Sequence, residues 1–100
     1  MRLGVGGTAL GWAAFGNKNP EVTTALLKAG ADIEAHSVDG RTALSWAAEY
    51  NNPDVVMVLL NAGSDAKMRD KFGFTAFDYA KRNGTLKGTD ALKKLEEASK

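Results

Sequence analysis

Small residues near the amino terminus have a spacing that could support nucleotide chemistry. Gly4, Gly6 and Ala9 satisfy G-x-G-x-x-A, a pattern that lets a backbone turn approach a pyrophosphate at a helix N-terminus. That site also needs a preceding strand and an acidic residue about 20 positions further on within a β-α-β unit. Only three residues precede Gly4, too few for that strand, and no strand-rich segment follows. The sequence therefore predicts no nucleotide and no other cofactor here.

Residues for hydrolytic or metal chemistry are scarce. His36 is the only histidine and lies beside Ser37 and Asp39, but neighbours in a hairpin alternate faces, so these three are badly placed for a Ser–His–Asp relay. One histidine with scattered carboxylates does not match the ligand spacing of metal sites. Asp32 and Asp65 follow glycine-containing turns, which aspartate stabilises. We therefore expect no enzyme, no catalytic residue and no metal.

The composition is that of one small soluble domain. The 100 residues include 13 basic and 12 acidic side chains, a formal net charge of +1, which is too small to attract nucleic acid or lipid head groups. There is no cysteine, and no apolar run approaches the length of a membrane span. We expect a cytoplasmic protein that binds no nucleic acid and no membrane, although an upstream targeting segment could be missing.

The chain contains an internal repeat, which decides the fold. The segment GGTALGWAAF (6–15) recurs as GRTALSWAAE (40–49) and as GFTAFDYAKR (73–82), and the threonines of these copies lie 34 and 33 residues apart. Further along, NPEVTTALLKAGAD (19–32) recurs after 33 residues as NPDVVMVLLNAGSD (52–65). Gly6 thus occupies the position of the glycines that begin the later copies, which explains the glycine pattern without a nucleotide.

Each copy predicts two short helices. In the second copy one helix runs from about Thr42 to Tyr50, and another begins with Asn52 as N-cap and Pro53 at the first helical position. Gly63 ends this helix in the left-handed conformation. The buried stripe of the second helix is expected to contain Val55, Val56, Leu59 and Leu60.

The repeat resembles the ankyrin repeat. The family's T-P-L-H-x-A motif corresponds to TALGWA (8–13), TALSWA (42–47) and TAFDYA (75–80), and its G-A-D segment to GAD (30–32) and GSD (63–65). Alanine replaces the family's proline in all three copies, and Gly11, Ser45 and Asp78 replace its histidine. These changes remove hydrogen bonds that the histidine usually provides at the start of the helix.

The resemblance implies an all-α fold, an ankyrin-repeat solenoid of stacked helix-turn-helix pairs joined by β-hairpin-like loops. We expect one domain over 1–100, with repeat one at 1–36, repeat two at 37–69, and repeat three with a C-terminal cap at 70–100. The cap is the polar last helix that the free end of a stacked array requires.

The resemblance further implies a module that binds another protein through a concave groove of hairpin tips and first helices. Phe72 and Phe74 stand out because the previous hairpin has Asp39 and Arg41 at these positions. The predicted partner-binding residues are Trp12, Phe15, His36, Val38, Asp39, Arg41, Trp46, Glu49, Tyr50, Arg69, Lys71, Phe72, Phe74, Tyr79 and Arg82. Trp12, Trp46 and Tyr79 share one repeat position, so a stacked scaffold ladder is the competing interpretation of these three.

An alternative function follows from the amino-terminal end. Residues 1–7 are too rich in glycine to form a shielding polar helix, since glycine costs about 1 kcal/mol per helical position. The first repeat would then be uncapped. The chain would in that case be a structural fragment of a longer array, which self-associates or docks through its N-terminal face.

Overall fold

The computed structural model describes residues 9–100, which form a stack of three helix pairs. Residues 1–8, which include Gly4, Gly6 and the glycine-rich segment expected to leave the array uncapped, lie outside the described part. The elements are α1 (Ala9–Gly16), α2 (Pro20–Lys28), α3 (Ala43–Tyr50), α4 (Pro53–Asn61), α5 (Ala76–Ala80), a 3₁₀ turn (Gly84–Leu86) and α6 (Asp90–Ala98).

The helices form two layers. The first helices α1, α3 and α5 pack side by side, the second helices α2, α4 and α6 form the other layer, and each first helix packs on its own second helix. Leu44, Ala47 and Ala48 of α3 are fully buried because neighbours cover this helix on both sides. Residues 9–100 contain no strand, only an isolated bridge between His36 and Thr42. The predicted all-α solenoid is confirmed.

Capping residues fix where the helices begin. Asn52 accepts a hydrogen bond from the Val55 N–H, and Pro53 is the first residue of α4, as predicted. Thr75 and Asp78 form a capping box, in which the Asp78 carboxylate accepts from the Thr75 N–H at 2.9 Å. Asp78 stands where the family has histidine, so this repeat replaces the lost helix-start bonds with its own.

The stripe predicted for α4 is buried except at its end. Val55, Val56 and Leu59 are fully buried, whereas Leu60 is half-buried. Leu60 borders a shallow depression next to α6, which leaves one side of it open to solvent. Gly63 adopts a φ of +96° directly after the C-cap Ala62, in agreement with the predicted left-handed end.

The last helix, α6, has a polar outer face. Ala91 and Leu95 of α6 are buried against the core, while its lysine and glutamate side chains are exposed. A polar outer face of this kind is what a cap requires. By contrast, α1 at the other end carries no charged residue. No helix within residues 9–100 is long and apolar enough to cross a membrane.

Asparagine side chains tie each helix pair to the one before it. The fully buried Asn51 donates from Nδ2 to the carbonyls of Ala14 at 2.8 Å and Asn17 at 3.0 Å. Asn83 donates in the same way to the carbonyls of Asn51 at 2.8 Å and Ala48 at 3.1 Å. Each amide thus satisfies carbonyls at the end of the preceding first helix, which no intrahelical donor reaches.

Gly40 lets the second hairpin (residues 36–41) and the third hairpin (residues 69–74) approach closely. Its φ is +81°, and a Cβ here would lie 3.3 Å from both the Asp70 Cα and the Lys71 nitrogen. Next to it, the Lys71 N–H donates to the Asp39 carbonyl at 2.7 Å. The equivalent Gly73 has a φ of +85°, but no atom lies within 4 Å of its Cβ position. The two glycines therefore differ only in the space around them.

We expect Gly40→Ala to lower the free energy of unfolding by about 2 kcal/mol, from backbone strain plus the close approach. Gly73→Ala is the matched control, and it should cost about 1 kcal/mol because only the strain applies. Urea denaturation followed by circular dichroism measures both. Equal losses in the two variants would contradict the close packing of the hairpins.

Candidate binding surface

Four aromatic side chains from α1 and α3 form a cluster, here called the aromatic cluster: Trp12, Phe15, Trp46 and Tyr50. Phe15 lies at its centre, with its ring 5.0 Å from Tyr50, 5.7 Å from Trp46 and 6.1 Å from Trp12. All three contacts are edge-to-face, the arrangement that ring quadrupoles favour. Trp46 and Tyr50 stack with centroids 6.1 Å apart. The cluster spans two repeats and thus joins their first helices.

Arg41 continues this row of contacts into the third repeat. Its guanidinium carbon lies 3.8 Å from the Trp46 ring centroid and 3.9 Å from that of Tyr79. The ladder expected for the shared repeat position is therefore interleaved, because Phe15 separates Trp12 from Trp46 and Arg41 separates Trp46 from Tyr79.

Polar partners hold Arg41 inside the protein. Its Nη2 lies 2.6 Å from Glu49 Oε1, and its Nε donates to Ser45 Oγ at 3.0 Å. The Arg41 residue is only 7% exposed. Arg41, one of the predicted groove contacts, folds its long side chain back over α3 and packs between two rings. Glu49 is engaged as its counterion and is only partly exposed.

Tyr79 is also an interior residue, at 8% exposure. Its hydroxyl donates to the Asp70 carboxylate, which also accepts from the N–H groups of Phe72 at 2.9 Å and Phe74 at 3.0 Å. Burial raises the pKa of Asp70, but the Tyr79 hydroxyl, these two N–H groups and Arg41 together bring it below the usual value. Burial and the bond to Asp70 raise the pKa of Tyr79 to about 12. An ionised Asp70 and a neutral Tyr79 thus anchor the third hairpin.

Asp70 is the residue that sequence reasoning missed. It holds the repeat position of Ser37, whose Oγ accepts from the Arg41 N–H at 3.3 Å just as Asp70 accepts from the Phe74 N–H. A short polar residue five positions before the N-cap threonine of the first helix recurs in both hairpins, as Ser37 before Thr42 and Asp70 before Thr75. That recurrence was the available signal.

The exposed large apolar side chains belong to the hairpins and to the first helices α1 and α3. Within residues 9–100, five large hydrophobic residues are exposed, and every one belongs to the predicted binding set. Contiguous exposed apolar surface on a small domain marks interaction sites. The five are Val38 at 78%, Phe72 at 65%, Tyr50 at 47%, Trp12 at 43% and Phe74 at 40%.

Charged side chains border these apolar residues at the third hairpin. Arg69 donates from Nη1 to the Gly73 carbonyl at 3.0 Å, and the Arg82 guanidinium lies 5.9 Å from the Phe74 ring centroid. Phe74 in turn lies 5.7 Å from Tyr79, so ring contacts connect the third hairpin to the aromatic cluster through Arg41. His36, Asp39 and Lys71 are exposed at the hairpin tips.

The residues considered for catalysis or metal binding are not arranged for either role in the part of the chain that the structure describes. Ser37 is buried while His36 and Asp39 are exposed, so the three do not converge as a relay. Asp32 and Asp65 accept hydrogen bonds at 2.9 Å from the N–H groups two residues further on, the predicted turn role. Among residues 9–100, no group of three histidine or acidic side chains is placed to hold a metal ion.

Comparison with family models supports the repeat assignment. The model for ankyrin repeats (3 copies) matches residues 6–99. Proteins with these repeats are generally non-catalytic, and the repeats generally mediate protein–protein interaction. Comparison with curated protein sequences gave no match. Since the match extends over almost the whole chain and the helix pairs stack in two layers as the repeat requires, the chain belongs to the ankyrin repeat family.

Proposed function

We propose that this chain is a non-catalytic module that binds another protein through the surface formed by its hairpin tips and first helices. The observation that carries the proposal is the segregation of exposed apolar residues. Large hydrophobic side chains are exposed at the hairpins and along α1 and α3, and none of those in α2, α4 or α6 is exposed. We call this face the groove surface: Trp12, Phe15, His36, Val38, Asp39, Trp46, Tyr50, Arg69, Lys71, Phe72, Phe74 and Arg82.

Contacts in the interior of the protein fix the conformation of the groove surface before a partner binds. Asp70 fixes the backbone of the third hairpin through two N–H groups, and Tyr79 and Arg41 tie that hairpin to α3. A surface fixed before association loses little conformational entropy on binding. We therefore assign Arg41, Glu49 and Tyr79 the role of positioning the groove surface.

Photo-crosslinking tests which face binds. We would replace Phe72 or Val38 with photoreactive benzoylphenylalanine, irradiate the protein in a cell extract, and identify adducts by mass spectrometry. Lys28 in α2 and Asn61 in α4 are matched control positions, because both are exposed on the opposite layer. We expect a discrete adduct at positions 72 and 38 and none of the same mass at positions 28 and 61. Adducts only at the control positions would contradict the groove assignment.

Self-association is the second candidate function, and Asn17 favours it. Asn51 and Asn83 each donate to the preceding repeat, and Asn17 precedes Asn51 by one repeat. The Asn17 carboxamide oxygen accepts from the Asn19 N–H, but no described residue accepts a hydrogen bond from its amide nitrogen. A helix pair docked on α1 would supply that acceptor, and a second copy of this chain contains such pairs.

Sedimentation velocity tests this second candidate. Association that strengthens between about 10 μM and 1 mM protein, and that Asn17→Ala weakens, supports a docked second copy. The matched control is Asn61→Ala, because Asn61 is exposed on the other layer. A single monomeric species over this range would overturn the self-association function and leave partner binding unaffected.

A further inference from the structure

We infer that the partner presents an acidic segment with an apolar side chain, which docks on the third hairpin. This inference rests on the proposed function and adds the chemistry of the partner. It follows from how charge is distributed around Phe72 and Phe74, the two phenylalanines exposed at this hairpin. We call the docking site the third-hairpin patch: Arg69, Lys71, Phe72, Phe74 and Arg82.

The cations of the patch lack carboxylate partners. Arg69, Lys71 and Arg82 are exposed, and none of the ion pairs within residues 9–100 includes any of them. Their contacts are with a backbone carbonyl for Arg69 and a ring face for Arg82. Three positively charged side chains therefore lie next to two exposed phenylalanine rings, and no ion pair among the described residues neutralises them.

The neighbouring acids are already engaged inside the protein. Asp70 is bonded to Tyr79 and to two N–H groups, Asp78 accepts from Thr75 and lies 3.5 Å from Lys81, and Glu49 pairs with Arg41. The pKa of Asp78 is held below its usual value, first by the Thr75 N–H. The exposed acid on the groove surface is Asp39, on the second hairpin. The third-hairpin patch is thus cationic and apolar, and its complement is acidic and apolar.

A protein segment fits this patch better than a single-stranded nucleic acid. A nucleic acid carries a charge at every phosphate and binds along a continuous run of cations. Beyond the patch, the groove surface continues into the aromatic cluster, whose four side chains are uncharged. Lys18 borders that cluster, and its Nζ donates to the Tyr50 carbonyl at 2.9 Å. The lysine and arginine side chains of the groove surface are therefore grouped in the third-hairpin patch and do not form a continuous run along the surface. A partner segment with carboxylates on both sides of one apolar side chain would pair its charges with the three cations of the patch and place its apolar side chain against the two phenylalanine rings.

Fluorescence anisotropy with defined probes tests the inference on the full chain. The probes are a fluorescein-labelled 12-residue peptide of alternating glutamate and leucine, the same peptide with lysine for glutamate, and labelled 12-nucleotide oligo(dT). We expect the glutamate peptide to bind at least about tenfold more tightly than the lysine peptide, and its affinity to fall as NaCl rises from 50 to 300 mM. Oligo(dT) binding as tight as that of the glutamate peptide would overturn the proposal.

Paired variants locate the site. Arg69→Gln with Lys71→Gln should weaken binding of the glutamate peptide about fivefold, because each exposed ion pair contributes little and two are removed. Lys93→Gln with Lys94→Gln on α6 is the matched control, with the same loss of charge away from the groove surface, and should leave affinity unchanged. Equal weakening in both double variants would overturn the inference.

The outcomes separate this inference from the proposed function. If the lysine peptide binds as well as the glutamate peptide and Phe72→Ser abolishes both, the groove surface binds proteins but the acidic chemistry is wrong. If photo-crosslinks form only at positions 28 and 61, the proposed function itself fails. Circular dichroism confirms that each variant is folded before its binding is measured.

Discussion

Replacing Arg41 with alanine is expected to lower the free energy of unfolding by about 4 kcal/mol. The change removes the counterion of Glu49 and the planar group that fills the space between the Trp46 and Tyr79 rings. It also removes a charge that helps keep Asp70 ionised. Guanidinium denaturation followed by tryptophan fluorescence measures the loss. In a domain whose whole stability is about 5–15 kcal/mol, a fall of this size is readily detected.

Two further substitutions isolate the cause. Arg41→Lys keeps the charge but not the planar fork, so its loss should fall between that of alanine and none. Arg69→Ala removes an exposed arginine and should change stability by less than about 0.5 kcal/mol. A loss below about 1 kcal/mol for Arg41→Ala would show that Arg41 does not hold the second and third repeats together.

Asn51→Ala is expected to cost about 3 kcal/mol. The Asn51 amide donates to the carbonyls of Ala13, Ala14 and Asn17, and its oxygen accepts from the Asn52 N–H at 2.8 Å. Alanine would leave the Ala14 and Asn17 carbonyls without a donor, and each such group costs about 1–3 kcal/mol. Urea denaturation gives the free energy, and hydrogen exchange of α1 shows whether the first repeat separates from the second.

Asn61→Ala is the matched control for this substitution. Asn61 is exposed near the end of α4, so its loss should stay within about 0.5 kcal/mol. If Asn51→Ala and Asn61→Ala had equal effects, the buried amide would not be what links the repeats.

Local signals in the sequence predicted much of the fold. The Asn52-Pro53 pair marks the start of α4, the left-handed Gly63 follows its end, and the charged 90–98 segment forms a helix. These features depend on neighbours in the chain, so a repeated pattern is enough to find them. Leu60 is less buried than predicted, because its burial depends on how closely α6 packs against α4, and the local sequence pattern does not contain that information.

The candidate site was predicted less completely, for a physical reason. Exposure of Phe72 and Phe74 followed from comparing hairpins, since the repeat requires no ring there. The position of Arg41 in the hairpin suggests that its side chain points to the groove. The side chain is long enough, however, to reach between the Trp46 ring of the second repeat and the Tyr79 ring of the third. Whether a long cation turns outward or inward depends on partners such as Glu49 and Tyr79, which the sequence does not bring together. The role of Asn51 depends in the same way on a neighbouring repeat.

Hydrogen exchange of the chain, alone and bound to the partner captured at position 72, tests the central claim most directly. We expect added protection at the second and third hairpins, residues 36–41 and 69–74, and along the exposed side of α1 and α3. Exchange in α2, α4 and α6 should be unchanged. Protection centred on those second helices, with the hairpins exchanging as in the free protein, would contradict it.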